Sequence, residues 1–179
     1  MFKIIKKSKF TNARLSVLTT PHGKIRGPFF MPIATRGAVK NLTAEELRSL
    51  GAQIILSNTY HLLLRPGIKL MKKYGGLHKF INWPGPILTD SGGYQVFSLG
   101  DHRKITEKGV RFRDPQNGSQ YFISPEDAIK IQTIIGSDIM MVLDECPPYP
   151  SKKDYLKKSQ ALTTRWAARC KTEFEKLQE

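Results

Sequence analysis

The sequence predicts an α/β fold built on a parallel sheet and preceded by a small antiparallel sheet. Three observations predict it. Four short runs are apolar on successive residues, the pattern of strands buried on both faces. Segments with helix start and stop signals lie between them. Residues 2–27 and 103–123 break this rhythm with the alternation of antiparallel strands.

Taken in chain order, residues 2–27 read as antiparallel strands with a turn at His22-Gly23, between RLSVLTT and KIRGPFF. The first buried run is PFFMPIA at 28–34. Thr43 with Glu46 then forms a capping box, and Leu42 with Leu47 matches a hydrophobic staple around it. Gly51 stops that helix. The second and third runs are QIILSN at 53–58 and PILTD at 86–90. Residues 103–123 alternate through Val110, Phe112, Tyr121 and Ile123 around the turn sequence Asp114-Pro115-Gln116-Asn117-Gly118, a hairpin inserted after the third strand. Ser124, Pro125 and Asp127 supply an N-cap, a first-turn proline and a first-turn acid, and Gly136 closes that helix. The fourth run is DIMMVLD at 138–144. A last helix starts after Ser151, with Leu162, Trp166, Cys170, Phe174 and Leu177 on one face at core-packing spacing.

Four strand–helix units imply a parallel sheet with right-handed crossovers. A closed eightfold barrel takes roughly 250 residues, so 179 residues hold either the first half of such a barrel or a complete open sheet. The expected organisation is a single partial domain over 1–179: strands at 1–27, then four βα units at 28–179 with the insertion near 103–123.

The chain carries 29 basic and 15 acidic residues, a net charge of +14. So basic a chain is drawn to polyanions, with nucleic acid the first partner to consider and a merely solvated basic surface the alternative. Two cysteines, Cys146 and Cys170, imply no disulfide framework and cannot make a zinc site alone. A reducing, cytoplasmic location fits. The start MFKIIKKSKF lacks the pattern of a signal peptide, and no run reaches the ~20 apolar residues of a membrane span.

In parallel α/β folds, ligands meet the carboxyl ends of the strands. Three runs end there in Asn58, Asp90 and Asp144. They are followed by Thr59-Tyr60-His61, by Ser91-Gly92-Gly93-Tyr94-Gln95 and by Glu145-Cys146-Pro147-Pro148-Tyr149-Pro150. Asp90 before Ser-Gly-Gly is a carboxylate in a turn that a ligand can approach closely, or else an ordinary turn residue. An ionised Asp144 is an acceptor suited to the N–H edge of a purine such as guanine. Tyr94 offers a flat face for base stacking, or a wall of the pocket mouth. His61 reads as a positioned core histidine. Asp90, Asp144 and Glu145 could alternatively gather a hard cation.

Four stretches resemble the bacterial tRNA-guanine transglycosylase (queuine tRNA-ribosyltransferase) family, in its N-terminal half: FFMPIATRGAVKNLT, LSNTYHLLLRPG, ILTDSGGYQVFSL and MMVLDECPPYP. The likeness covers nearly the whole chain. It implies the first part of a (β/α)8 TIM-type barrel, in a family that exchanges guanine at the tRNA wobble position for a 7-deazaguanine queuosine precursor through a covalent enzyme–ribose intermediate. By that resemblance Asp90 is catalytic, as a general acid/base. Ser91, Gly92, Gly93 and Tyr94 line the base pocket, Asp144 binds the purine edge, and Cys146 shares the pocket. Asn58 and His61 orient Asp90. The family also implies tRNA and base as partners, a homodimer at full length, and a zinc ion on three cysteines and a histidine.

The nucleophilic aspartate and the zinc ligands of the family have no counterpart in this sequence, so the expectation is a fragment without activity of its own. Two rival readings stand beside it: a non-catalytic RNA-binding or partner subunit of the same family, and an unrelated metal-dependent barrel enzyme using Asp90 and Asp144.

Overall fold

The computed structural model describes residues 1–98 and 103–179. Three three-stranded sheets organise the chain. The first is antiparallel and comprises β1 (Phe2–Lys7), β2 (Arg14–Thr20) and β3 (Gly23–Gly27), in that order. The pairing of Thr20 with Gly23 makes Pro21-His22 the turn, one residue earlier than expected.

The second sheet is parallel and ordered β4 (Ile55–Ser57), β5 (Ile87–Thr89) and β9 (Ile139–Met140). The segment expected as the first strand, 28–34, does not form a regular one. It makes a single parallel bridge from Ile33 to Leu56, with Ala34 N–H donating to the Leu56 carbonyl and Leu56 N–H to the Pro32 carbonyl. Pro28 and Pro32 have no N–H to give a ladder. Even so, the four segments lie side by side in chain order. The fourth expected strand is regular only at Ile139–Met140, and the chain runs on irregularly to Asp144.

Helices cover one face of this sheet. They are α1 (Ala44–Ser49), α2 (Thr59–Leu62), α3 (Ile68–Tyr74), α4 (Leu77–Phe80) and α6 (Pro125–Ile135), with α7 (Lys153–Lys176) packed on α6 and α5 (Gly93–Phe97) at the carboxyl end of β5. A wide turn at Leu63–Gly67, carrying Pro66, joins α2 to α3. The expected capping boxes are both formed, Thr43 with Glu46 on α1 and Ser124 with Asp127 on α6. Side chains on the covered face are satisfied by α6: the Thr89 hydroxyl donates to Gln132 Oε1 at 2.8 Å and lies 2.6 Å from the Ser137 hydroxyl. The bridged row on the other face, Ile33, Leu56, Leu88 and Ile139, is incompletely covered, with Ile33 exposed.

The third sheet is the insertion. It has β6 (Arg103–Thr106), β7 (Gly109–Arg113) and β8 (Gln120–Ile123), one strand more than a hairpin, with Asp114 and Gly118 closing the β7–β8 loop. Two apolar clusters result. One joins Leu47, Ile55, Leu62, Met71, Trp83 and Ile87 to the end of α6. The other joins Phe112, Ile123 and Ala128 to Trp166 and Cys170 of α7. The expected apolar face of α7 is buried only in its middle: Trp166 and Cys170 are enclosed, whereas Phe174 and Leu177 are exposed. Among the described residues no helix is long and apolar enough to cross a membrane.

Candidate functional site

The carboxyl ends of β4, β5 and the β9 segment converge. Asp90 follows β5 directly, and its half-buried carboxylate accepts from four donors. Thr59 N–H (3.0 Å) and Gly92 N–H (3.1 Å) reach Oδ1, while Gln95 Nε2 (3.1 Å) and the Asn58 amide reach Oδ2. Asn58 comes from the end of β4, so two adjacent strands fix one carboxylate. Such an array leaves Asp90 a single orientation, because rotation would strand several donors at once.

The turn after Asp90 depends on its glycines. Gly92 has φ of +79°, and a side chain there would meet Tyr60. Gly93 is tighter: an added Cβ would sit 2.5 Å from Asp144 Oδ1 and 2.7 Å from the Asp144 carbonyl oxygen. The missing side chain lets the Asp90 loop lie against Asp144. Ser91 joins the two, its hydroxyl donating to Asp144 Oδ1 at 2.7 Å and accepting Gly93 N–H at 3.0 Å. The other Asp144 oxygen accepts the Cys146 thiol at 3.2 Å. Burial first, then the hydrogen bond and charge of Asp144, push that thiol up to about 12, so Cys146 is a proton donor here and not a nucleophile.

Tyr94, on the first turn of α5, is two-thirds exposed, with Phe97 tilted against it at 6.2 Å. His61 lies edge-on to Tyr60 and makes no hydrogen bond to Asp90 among the described residues. Burial and the Arg36 charge hold its ring below the ordinary imidazole value, against the opposing pull of Asp90. The ring is therefore biased towards neutrality.

The structure thus brings Asn58, Asp90, Ser91, Gly92, Gly93, Asp144 and Cys146 into one connected set, leaves Tyr94 open at its edge, and sets His61 beside it. Thr59 and Gln95 also hold Asp90. Both stand in the motif stretches, but side-chain type alone does not tell a donor to Asp90 from a loop residue. Glu145 turns away, its carboxylate accepting from the Tyr155 hydroxyl at 2.6 Å. Among the described residues Asp90, Asp144 and Glu145 form no group within metal-ligand reach of one another.

These features define an α/β protein with a pair of positioned carboxylates at the carboxyl rim of its parallel strands. A family profile described as queuine tRNA-ribosyltransferase matches residues 8–179. The chain is 60% identical over 170 residues to the queuine tRNA-ribosyltransferase of Thermoanaerobacter pseudethanolicus, covering 95% of this chain and 45% of that protein. It is 58% identical over 169 residues to the queuine tRNA-ribosyltransferases of Halalkalibacterium halodurans and Staphylococcus aureus strain JH9, covering 94% of this chain and 45% of each. The chain belongs to the queuine tRNA-ribosyltransferase family and spans about half the length of these curated relatives.

Proposed function

We propose that this chain supplies the base-binding rim of a tRNA-guanine transglycosylase whose barrel is completed by sequence outside it. The side-by-side, chain-order arrangement of the four parallel segments supports the barrel, since such order is what a closing sheet requires. In the proposed reaction a carboxylate outside this chain bonds to the ribose C1′ as the bond to guanine N9 breaks. Guanine leaves with a proton, and a 7-deazaguanine base then loses a proton and displaces the carboxylate.

The residues here bind and orient the base. Asp144, held by Ser91 and Cys146, accepts from the guanine ring N–H and 2-amino group. Tyr94 stacks on the purine. Asp90, locked by Asn58, Thr59, Gly92 and Gln95, moves the proton. The basic surplus of +14 suits a tRNA substrate. The family's zinc needs a thiolate-rich ligand set, which these residues do not make. Cys146 is hydrogen-bonded to Asp144, and Cys170 is buried against the Pro125 carbonyl oxygen. No step here runs through that ion.

The observation that carries the reading is the Ser91 bridge, which ties the loop bearing Asp90 to Asp144 beside an open aromatic ring. The test is exchange of labelled guanine into tRNA. Residues 1–179 are assayed alone and after fusion to the C-terminal portion of the Thermoanaerobacter relative. The chain alone is expected to be silent and the fusion active. Asp144→Ala in the fusion raises KM for guanine, whereas Asp90→Ala lowers kcat. Robust turnover by the chain alone, or unchanged kinetics in both variants, refutes the proposal.

A further inference from the structure

At the opposite end of the parallel strands lies a second cluster that base exchange does not use. Asp138 stands immediately before β9, and its side chain is fully buried. His22 belongs to the β2–β3 turn and His78 to α4. His22 Nδ1 lies 2.9 Å from Asp138 Oδ1, and His78 Nε2 lies 3.3 Å from Asp138 Oδ2. The two rings stack at 3.7 Å. One ligand atom from each of the three residues falls within 4.8 Å of the other two.

We propose that His22, His78 and Asp138 form a binding site for a divalent first-row transition ion of the zinc or cobalt type, which fastens the N-terminal sheet to the parallel sheet. The donor chemistry selects the ion. Two imidazoles and one carboxylate suit zinc, cobalt or nickel and not magnesium or calcium, which take oxygen shells. Bonds of roughly 2.0–2.2 Å place the ligand atoms of a tetrahedral ion about 3.3–3.6 Å apart, so ligand atoms already within 4.8 Å of one another need only a small movement to close on an ion.

A second observation points the same way. The Nε2 atom of His78 is buried and lies 3.3 Å from Asp138 Oδ2, near enough for an ion pair but without hydrogen-bond alignment. A buried ring nitrogen so poorly aligned with its neighbour carries a desolvation cost that a metal bond would reduce. Asp138 is already anchored by N–H groups of Ile87 and His22, as carboxylate ligands of metals commonly are. His22 is 42% exposed, so its ring can turn off the stack and aim its lone pair at a shared ion. The donors differ from the thiolate set of the family's zinc, and they lie at the strand ends away from Asp90.

The site is tested by titrating the metal-stripped 179-residue chain with Co²⁺ and then displacing it with Zn²⁺. One Co²⁺ per chain is expected, with visible d–d absorption and no thiolate charge-transfer band. Zn²⁺ should displace it and raise the thermal midpoint, and millimolar Mg²⁺ should not compete. His22→Ala, made in a half-exposed turn, should weaken binding about tenfold or more, and His78→Gln should do the same. Absence of stoichiometric Co²⁺ binding, a thiolate band, or undiminished affinity in His22→Ala overturns the proposal. If His78→Gln fails to fold, His22→Ala alone decides.

Discussion

Gly93→Ala is the sharpest probe of the rim, because the added atom is a single methyl and its neighbours are known. Its Cβ would lie 2.5 Å from Asp144 Oδ1, 2.7 Å from the Asp144 carbonyl oxygen and 3.1 Å from Ser91 Oγ. The first contact can be relieved by rotating a side chain. The second is to backbone and can be relieved only by moving the loop away from Asp144. Either movement breaks the 2.7 Å Ser91–Asp144 hydrogen bond. A hydrogen bond to a charged group contributes about 1.5–3 kcal/mol. If that interaction holds Asp144 for the base, its loss corresponds to roughly a 10- to 150-fold weaker guanine affinity. Overpacking would also lower stability by about 1–3 kcal/mol. Calorimetric guanine binding to the fusion protein, together with urea unfolding, reads both effects. Wild-type guanine affinity in a folded Gly93→Ala protein would refute the argument that this glycine exists to bring the Asp90 loop against Asp144.

Cys146, with its thiol pushed up to about 12, should react with iodoacetamide at pH 8 far more slowly than free cysteine. Mass spectrometry of the labelled protein reads the rate, and labelling as fast as free cysteine contradicts the assignment. Glu126, held mainly by its hydrogen bonds to Arg169 against the effect of burial, is lowered from 4.5 to about 2. Its folded value is depressed, so its contribution is complete above about 4.5 and is lost as pH falls towards about 2. The pair is about one-third exposed, so the effect is small, at most about 1 kcal/mol. Thermal midpoints recorded against pH should lose that step in Glu126→Gln. Trp166→Ala removes a ring that fills the second cluster and donates to the Glu107 carbonyl oxygen at 2.9 Å. It should cost about 3–5 kcal/mol, read as a lowered urea midpoint, and a loss below 1 kcal/mol would show that α7 is not anchored there.

Features governed by a few neighbouring residues were legible in the sequence. The capping boxes of α1 and α6 are such cases, since the partners lie three residues apart and no distant contact decides them. The Asp90 turn was legible for a similar reason: Ser-Gly-Gly after a strand restricts what that backbone can do. The strand at 28–34 was misread because an apolar run does not guarantee burial or pairing: Phe29, Phe30 and Ile33 are exposed, and prolines withhold the donors a ladder needs. The lower half of the α7 face was misread because helical spacing defines a stripe without saying how far a partner extends along it. Phe174 and Leu177 keep the period and remain exposed.

The two carboxylate-centred clusters show why the remainder was hidden. Asp90 announces itself through neighbours in its own motif, yet two of its four donors, Asn58 and Thr59, arrive from 32 and 31 residues away. Asp138 has no motif at all: its main-chain and ring donors come from His22, 116 residues earlier, and from Ile87, 51 residues earlier. Both aspartates flank strands of one parallel sheet, one at each end, and each gathers groups from neighbouring elements. Parallel strands bring their termini together whatever lies between them in sequence. The sheet therefore builds a polar cluster at each end by the same geometry, and side-chain chemistry separates them: paired carboxylates beside an aromatic ring at one rim, imidazoles around a single buried carboxylate at the other.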